Sequence, residues 1–367
     1  MAKVRAPFVR ACLCPILFCG LAACAPDFER GPLADRADVP YPPPGARLEP
    51  DAIITADQTR LALHRWLPDD SAATKAIIVA VHGFNDYGRA FAIPAEIWSR
   101  QGIATYAYDQ RGFGANRDPG RWAGARTLCR DVVTAVDLIQ GVWPGVPVYL
   151  LGESMGGAEV LALMAGTCAG VAAPRPAGVI LVAPAVWGRK TMPALNRVAL
   201  FTAARLFPSA RFTGSGFHIL ASDNIPMLIA LGHDPLFIKA TRSDTIFGLV
   251  DMMDAGYAAG PITTRPVLLL YGAHDELIPV APMRDVARRQ IRSPGARVAF
   301  YPHGWHMLLR DLEQRRVAND VAAWIADPKS ALPSGADIRG RDFLAGRLPR
   351  PRKPVPPALR RGLHERG

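Results

Sequence analysis

The sequence predicts an α/β fold in which helices cover both faces of a mostly parallel, eight-stranded sheet. From about residue 51 to residue 327, short apolar runs alternate with segments of helical periodicity, which is typical of parallel strands buried on both sides. The alternation stops once, between Val186 and Gly260, where the apolar stretches have only helical periodicity. A chain of 367 residues can hold one domain with an insertion, or two smaller domains. We expect a sheet domain, residues 51–186 and 261–328, with a helical cap, residues 187–260, inserted after the sixth strand.

The strands are predicted from apolar runs rich in Val, Ile, Leu and Tyr. Two of them precede the alternation, and each of the other six stands next to a helical segment. In chain order they are Ala52–Ala56, Leu61–Leu67, Ala76–Val81, Ile103–Tyr108, Val146–Leu151, Val179–Ala183, Val267–Tyr271 and Val298–Tyr301.

The helices are predicted where apolar residues recur at spacings of three and four. Around the sheet they are Phe91–Arg100, Arg126–Gln140, Met155–Cys168, Pro282–Ile291 and His306–Ile325, and in the insertion Ala194–Leu206, Ile225–Ala230 and Asp244–Met253. An insertion after the sixth strand would lie above the carboxyl ends of the strands, where open α/β sheets bind ligands. No strand is predicted inside it.

The first 23 residues are typical of an export signal. A basic stretch up to Arg10 leads into Ala11–Ala23, which is apolar but too short to cross a bilayer as a helix. The segment ends in Leu-Ala-Ala before Cys24, which resembles the lipobox of bacterial lipoproteins and implies lipidation of Cys24 and a membrane anchor. Ordinary cleavage at a small-x-small site is the alternative. Ala25 at the next position favours the outer membrane; otherwise the protein would be periplasmic or secreted.

The net charge of +11 is concentrated at the two ends of the chain. The first 23 residues hold three Lys/Arg and no acid, and residues 329–367 hold ten Lys/Arg against three acids, so the body is nearly neutral. This distribution, without an aromatic-interleaved basic patch, argues against nucleic acid as a partner. Residues 24–50 are Pro-rich and predicted as a tether, and the Pro/Arg-rich tail, residues 329–367, is predicted to be disordered.

Two cysteines, Cys129 and Cys168, remain in the body of the chain. An exported protein could pair them, but the predicted helices place them at opposite ends of two parallel neighbours, about 15–20 Å apart. We therefore expect two buried free thiols.

The pattern Gly-x-Ser-x-Gly centred on Ser154 is the most informative feature of the chain. Apolar strand residues precede it and an apolar helical run follows it, so Ser154 lies where a strand turns sharply into a helix and exposes its hydroxyl. Such a turn leaves no room for side chains beside the serine, which accounts for Gly152 and Gly156. A glycine-rich turn between two core elements is the structural alternative.

A serine hydroxyl needs a base and a group that orients the base. Candidates follow the seventh and eighth strands, at the sheet edge predicted to hold Ser154: Asp275 or Glu276 as the orienting acid, and His306 or His303 as the base. The two histidines have no acidic or cysteine companion at ligand spacing, so no metal is expected.

From about Asp51 to Asp327 the chain resembles the α/β-hydrolase superfamily, in particular the monoacylglycerol lipase and lysophospholipase group. The resemblance is carried by Val81-His82-Gly83-Phe84-Asn85, Tyr108-Asp109-Gln110-Arg111-Gly112-Phe113-Gly114, Gly152-Glu153-Ser154-Met155-Gly156-Gly157, Gly272-Ala273-His274-Asp275 and His306-Met307-Leu308-Leu309. The second motif departs from the family where Ala115-Asn116 follow Gly114 in place of a serine. We interpret that loop as structural, with Asp109 and Arg111 as an ion pair.

This resemblance implies Ser154 as nucleophile, His306 as general base and Asp275 as the group that fixes the imidazole tautomer. It also implies an oxyanion hole made by the backbone N–H groups of Phe84 and Met155, and no cofactor. For Glu153, a modest polar contact is expected.

The predicted activity is hydrolysis of lipid esters, such as monoacylglycerol or lysophospholipid, through an acyl-enzyme. The insertion supplies apolar residues for an acyl chain: Phe201, Leu206, Phe207, Phe217, Ile219, Leu220, Met227, Leu228 and Leu231. The alternatives are acyl transfer, thioester or carbon–carbon bond hydrolysis, and a non-catalytic envelope lipoprotein scaffold. No oligomeric state is predicted.

Overall fold

The computed structural model describes residues 44–168, 170–213 and 219–348. Its strands are β1 Arg47–Glu49, β2 Ala52–Ile54, β3 Arg60–Trp66, β4 Ala76–Val81, β5 Ile103–Tyr108, β6 Val148–Glu153, β7 Gly178–Val182, β8 Arg211–Thr213, β9 Ala240–Arg242, β10 Val267–Gly272 and β11 Arg297–Tyr301. The central strands β4, β5, β6, β7 and β10 are buried on both faces, as their continuous apolar sequences predict.

Nine of these strands form one sheet in the order β1-β2-β3-β5-β4-β6-β7-β10-β11. Pairing is antiparallel among β1, β2, β3 and β5, and parallel from β5 to β11. The predicted α/β class and mostly parallel sheet are confirmed, but the sheet has nine strands and not eight. The additional strand is β1, which lies inside the predicted tether and pairs with β2. Three residues are too few to show a periodicity in sequence.

The helices are α1 Ala92–Ser99, α2 Ala125–Val142, α3 Met155–Met164, α4 Ala194–Leu206, α5 Ile225–His233, α6 Ser243–Ala258, α7 Val280–Gln290, α8 Gln314–Ala326 and α9 Ala336–Leu344. On one face of the sheet, α1 and α8 bury residues such as Trp98 and Trp324; on the other, α2, α3 and α7 close a larger apolar core. The helix predicted from His306 begins only at Gln314, so His306 lies in a loop. None of the helices in the described part of the chain is long and apolar enough to cross a membrane.

The insertion after β7 contains α4, α5 and α6, and also two short strands that sequence inspection did not predict. These strands, β8 and β9, pair antiparallel to each other and form a separate sheet. The three residues of β8 are all exposed, so they lack the buried apolar alternation by which strands are recognised.

The predicted disorder of the basic tail is wrong for the part that the structure describes. Residues 336–344 form α9, which packs on the end of the sheet: the Phe343 ring stacks on Phe300 with 5.1 Å between centroids. Arg297 on β11 forms an ion pair with Asp337 at 2.7 Å. The tail is rich in Pro and Arg, and this composition gave no indication that the apolar side chain of Phe343 would contact the sheet. Residues 349–367, the export signal, Cys24 and the tether up to residue 43 lie outside the described residues.

The expectation of two free thiols is also wrong, because Cys129 and Cys168 form a disulfide with Cα atoms 6.8 Å apart. The prediction assumed a longer helix lying parallel to α2. Helix α3 ends at Met164, and the turn that follows returns Cys168 to the start of α2, where its Sγ lies 3.6 Å from the carbonyl oxygen of Ala125.

The disulfide closes a loop with a sequence separation of 39 residues. Loop closure of this size reduces the entropy of the unfolded chain, so Cys129→Ser with Cys168→Ser should lower the free energy of unfolding by about 2–4 kcal/mol and Tm by roughly 5–10 °C. Thermal unfolding with and without reductant measures this. The double variant is its own control because reductant should not lower its Tm further. A non-reduced digest without a peptide pair linking the two cysteines would contradict the assignment.

Candidate active site

Ser154 occupies a sharp corner between β6 and α3. Its φ is 52° and its ψ −114°, a conformation that residues with a side chain rarely adopt. The neighbouring glycines make the corner possible. A Cβ on Gly152 would lie 2.3 Å from the carbonyl oxygen of Gly156, and one on Gly156 would lie 2.2 Å from that of Val81. Both glycines are therefore required by close backbone contacts, as the sequence pattern predicts.

Three side chains from separate loops meet at this corner. His306 Nε2 lies 2.9 Å from Ser154 Oγ, and His306 Nδ1 lies 2.8 Å from Asp275 Oδ2. Ser154 follows β6, Asp275 follows β10 and His306 follows β11, so all three leave the carboxyl edge of the parallel strands. The structure thus brings together the three residues that the sequence predicted to converge.

Backbone contacts hold the acid and the imidazole in place. Asp275 Oδ1 accepts hydrogen bonds from the N–H groups of Leu277 at 2.9 Å and Ile278 at 2.8 Å, which leaves Oδ2 for His306. The loop with His306 is closed by Asp311, whose carboxylate accepts from the N–H of Trp305 and of Glu313, each at 2.8 Å. Nothing in the sequence around Asp311 distinguishes it from a surface aspartate.

The environment of His306 raises the pKa of its imidazole. Burial alone disfavours the imidazolium, but the charge of Asp275 and its hydrogen bond outweigh burial and raise the pKa of His306 above 6.5. The charge of Glu153 acts in the same direction, and that of Arg310 acts against it. A histidine with this balance can accept a proton from Ser154 and stabilise the resulting charge.

The structure distinguishes the alternatives left open by sequence. His303 is exposed, whereas His306 is only 4% exposed and contacts Ser154. Glu276 turns away from the imidazole, and its carboxylate accepts a hydrogen bond from the N–H of Leu220 at 3.0 Å. No group of three or more His, Cys, Asp or Glu side chains within the described ranges could hold a metal ion.

Two backbone segments border the serine. Met155 is the first residue of α3, so its N–H has no intrahelical acceptor and lies at the positive end of the helix dipole. Phe84 follows Gly83, where an added Cβ would lie 3.2 Å from the Cβ of Ser154. The loop after β4 thus passes directly beside the nucleophilic corner.

His82 and the motif after β5 form the base of this loop. His82 Nδ1 donates to the carbonyl oxygen of Gly83 at 2.8 Å, and its Nε2 accepts from the N–H of Gln110 at 2.9 Å. The expected Asp109–Arg111 ion pair is wrong. Asp109 binds His64 at 3.0 Å, and Arg111 bridges Asp57 and Asp131, each at 2.7 Å. Sequence proximity suggested the pair, but each side chain binds partners on other segments of the chain.

Ser154 and His306 open into a cavity of about 410 Å³. Its apolar lining comes from both the sheet domain and the insertion: Phe84, Ala185, Trp187, Ile219, Ala221, Phe237, Leu249, Met253, Leu277, Ile278 and Met307. Of the insertion residues expected to line an acyl site, only Ile219 does so among those described. Phe201, Leu206 and Phe207 are at least 48% exposed, and Ala204 is the one buried residue of α4.

The cavity also contains three buried ionisable side chains, Asp86, Glu153 and Arg310. Arg310 Nη2 lies 2.5 Å from Asp86 Oδ2 and 3.7 Å from Glu153 Oε2. Burial raises the pKa of the Glu153 carboxyl. Sequence inspection missed Asp86 and Arg310. The available signal was their position, since Asp86 is two residues after the expected oxyanion donor Phe84 and Arg310 is four residues after the expected base His306.

Curated relatives share most of the chain's length. The monoacylglycerol lipase of Mycolicibacterium smegmatis is 28% identical over 274 residues, which cover 72% of this chain and 92% of that protein. The human monoglyceride lipase is 26% identical over 285 residues, covering 75% of this chain and 89% of that protein.

Solved structures share the fold. The crystal structure of the monoacylglycerol lipase from Paleococcus ferrophilus matches with a TM-score of 0.59 and 19% identity, over 73% of this chain and 99% of that one. A soluble variant of the Saccharomyces cerevisiae monoglyceride lipase, in complex with a substrate analogue, matches with a TM-score of 0.61 and 17% identity, over 80% and 98%. At these identities the matches establish the α/β-hydrolase fold.

A family model decides membership. Residues 72–313 match the Hydrolase_4 family, described as serine aminopeptidase, S33. The matched segment includes β4, the corner at Ser154, and the loops with Asp275 and His306, and it covers well over half of the chain. The protein is therefore a member of the Hydrolase_4 family of α/β-hydrolases.

Proposed function

We propose that the protein is a serine carboxylic ester hydrolase that cleaves lipid esters, such as monoacylglycerols, through an acyl-enzyme intermediate. The observation that carries the proposal is the continuous hydrogen-bond chain from Ser154 through His306 to Asp275 at the wall of an apolar cavity. The names of the relatives described above support this substrate class. Lysophospholipids are the second substrate class, and thioester or carbon–carbon bond hydrolysis and acyl transfer are the alternative reactions.

The proposed reaction proceeds in two halves. Ser154 Oγ attacks the ester carbonyl while His306 Nε2 takes its proton; the protonated imidazole then gives that proton to the departing alcohol. Water enters, loses a proton to His306 and attacks the acyl carbonyl. The bond between the acyl group and Ser154 Oγ then breaks, the fatty acid leaves, and His306 returns the proton to Ser154 Oγ. Asp275 keeps the Nδ1 proton in place in both halves and stabilises the imidazolium.

The N–H groups of Phe84 and Met155 are the proposed oxyanion donors. They belong to the loop after β4 and to the first turn of α3, which border the serine on two sides. Loss of one such donor costs about 10²–10³ in rate in other serine hydrolases. Because both are backbone groups, side-chain substitution at these positions removes neither.

The apolar lining supports an acyl substrate. Each methylene group transferred from water to such a lining contributes about 0.8 kcal/mol of binding free energy. The cap supplies a large part of this surface, from Trp187 to Met253. A small acetyl ester would leave most of the cavity unfilled.

Ser154→Ala should lower kcat/KM for a long-chain monoacylglycerol by at least about 10³-fold, because no other group supplies the nucleophile. The same variant should lose covalent labelling by a fluorophosphonate probe, followed by intact-protein mass spectrometry. Ser293→Ala is the control, since Ser293 is a buried serine in a loop after α7 that does not line the cavity. Unchanged turnover in Ser154→Ala, or a wild-type protein that neither labels nor cleaves any acyl ester, would reject the proposal.

The rate should depend on the protonation of His306, which acts as a base only when neutral. Because the pKa of His306 is raised above 6.5, kcat/KM should fall on the acid side of a midpoint above pH 6.5. Asp275→Asn removes the largest influence that raises this pKa, so the midpoint should move to lower pH while the plateau falls by about 10⁴-fold. A pH profile with a soluble short-chain ester measures both. An unchanged midpoint in the variant would contradict the role assigned to Asp275.

We propose further that the protein is an exported lipoprotein anchored through Cys24, in the outer membrane. The lipobox-like sequence supports this, as does the Cys129–Cys168 disulfide, because disulfides persist in oxidising compartments such as the periplasm. Several acyl chains at one cysteine anchor a protein stably where a single chain does not.

Cys24→Ala should move the full-length protein from the detergent phase to the aqueous phase in a two-phase partition. Cys19→Ala is the control, because it removes a thiol from the same apolar segment without touching the expected lipidation site. Partitioning of Cys24→Ala like the wild type would exclude the lipid anchor, and it would leave the hydrolase proposal intact.

A further inference from the structure

Two of the three buried ionisable groups in the cavity have an atom without a hydrogen-bond partner. Among the described residues, Glu153 Oε1 and Arg310 Nε have no hydrogen-bond partner, although both atoms are buried. Both side chains line the cavity that contains Ser154, and each is at most 8% exposed. A buried polar atom without a hydrogen-bond partner is destabilising. A ligand that supplies the missing partners would remove this destabilisation.

We propose that Glu153, held by the Arg310–Asp86 ion pair, binds a hydroxyl group of an uncharged leaving alcohol and selects against anionic head groups. The inference rests on the proposed ester hydrolysis and specifies its head group. Glu153 directly precedes Ser154 in the chain, so its carboxyl is on the same wall of the cavity as the nucleophile. The unpartnered Oε1 accepts the hydroxyl hydrogen, and Arg310 Nε donates to a hydroxyl oxygen.

The charges of the side chains that line the cavity explain why anionic head groups are disfavoured. Two basic side chains line this cavity in the described structure. His306 is paired with Asp275, and Arg310 is paired with Asp86 and close to Glu153. With Glu153 ionised the cluster is negative, and with Glu153 protonated it is neutral. In neither state is a cation available for a phosphate group. An anionic head group would therefore lose its hydration in an apolar cavity next to two acids, without compensation.

A cationic head group is disfavoured for a different reason. An ammonium group at Glu153 would lie beside Arg310, whose Nη2 is 3.7 Å from the Glu153 carboxylate. A hydroxyl group carries no charge and can donate to one partner while it accepts from the other. Both unpartnered atoms are then satisfied by one group.

The test compares substrates with a single acyl chain and three head groups: a monoacylglycerol, the methyl ester of the same acid, and the corresponding 1-acylglycerol 3-phosphate. The wild type should prefer the monoacylglycerol over the methyl ester by at least about tenfold in kcat/KM, and over the phosphate by more. Glu153→Gln should reduce the preference for the monoacylglycerol over the methyl ester to within about threefold. It should also reduce the preference for the monoacylglycerol over the 1-acylglycerol 3-phosphate. Because the titration of His306 in the free enzyme affects every substrate alike, these ratios are independent of any change in its pKa.

Glu159→Gln is the matched control. Glu159 is a fully buried glutamate on α3 whose two oxygens also lack hydrogen-bond partners, but it does not line the cavity. It should change thermal stability without changing the substrate ratios. A wild type that cleaves all three esters equally, or a Glu153→Gln variant with wild-type ratios, would overturn the head-group inference and leave ester hydrolysis standing. Preference for an aminoacyl arylamide over every ester would overturn both the head-group inference and the proposed ester hydrolysis. Absence of turnover of any ester would overturn the proposed ester hydrolysis itself.

Discussion

Ser154 lies at a φ of 52°, and the backbone around it can accept that conformation only because several neighbours have no side chain. A conformation of this kind costs about 1–3 kcal/mol and persists where surrounding contacts enforce it. Here the N–H of Ser154 donates to the carbonyl oxygen of Val182, and its own carbonyl accepts from Ala158 and Ala185. Hydrogen bonds thus attach the corner to the end of β7 and to the first turn of α3. Every distance in the hydrogen-bond chain to Asp275 depends on the hydroxyl being held at this point.

The sheet topology converts three distant segments into one site. Parallel strands β6, β10 and β11 all end at the same edge, so the residues that follow them are neighbours in space, although 152 positions separate Ser154 from His306. A close glycine contact also allows the other two loops to approach each other. A Cβ on Gly272 would lie 2.4 Å from the carbonyl oxygen of Gly304, so the loops with Asp275 and His306 can approach only because one strand ends in glycine.

Sequence patterns predicted the features that depend on local or ordered signals. Strands β4 and β5 have the predicted bounds because continuous apolar runs end sharply at polar residues. Ser154 was predicted from a motif, and the choice of Asp275 and His306 among the candidates after the seventh and eighth strands came from the resemblance to the α/β-hydrolases. Three of the errors share one cause, because each concerned where two segments meet in three dimensions. The disulfide depends on the turn after Met164, the partners of Arg111 on the loop at Asp57, and the cavity lining on which face of α4 is turned outward. Helical periodicity indicates that α4 has an apolar face but not whether that face is covered.

The cluster of Asp86, Glu153 and Arg310 and the pair His306–Asp275 belong to one electrostatic system, because the cavity around them is largely apolar and screens their charges weakly. The charge of Glu153 raises the pKa of His306 and that of Arg310 lowers it, so the two charges of the cluster act on the imidazole in opposite directions. A lone carboxylate in the position of Glu153 would favour the imidazolium further and remove more of the neutral base. A lone arginine in the position of Arg310 would do the opposite and would bind anions. Their combination gives a polar wall that can form hydrogen bonds with an alcohol while the imidazole remains controlled mainly by Asp275. This balance explains why charged residues can be buried beside the nucleophile of an enzyme for apolar esters.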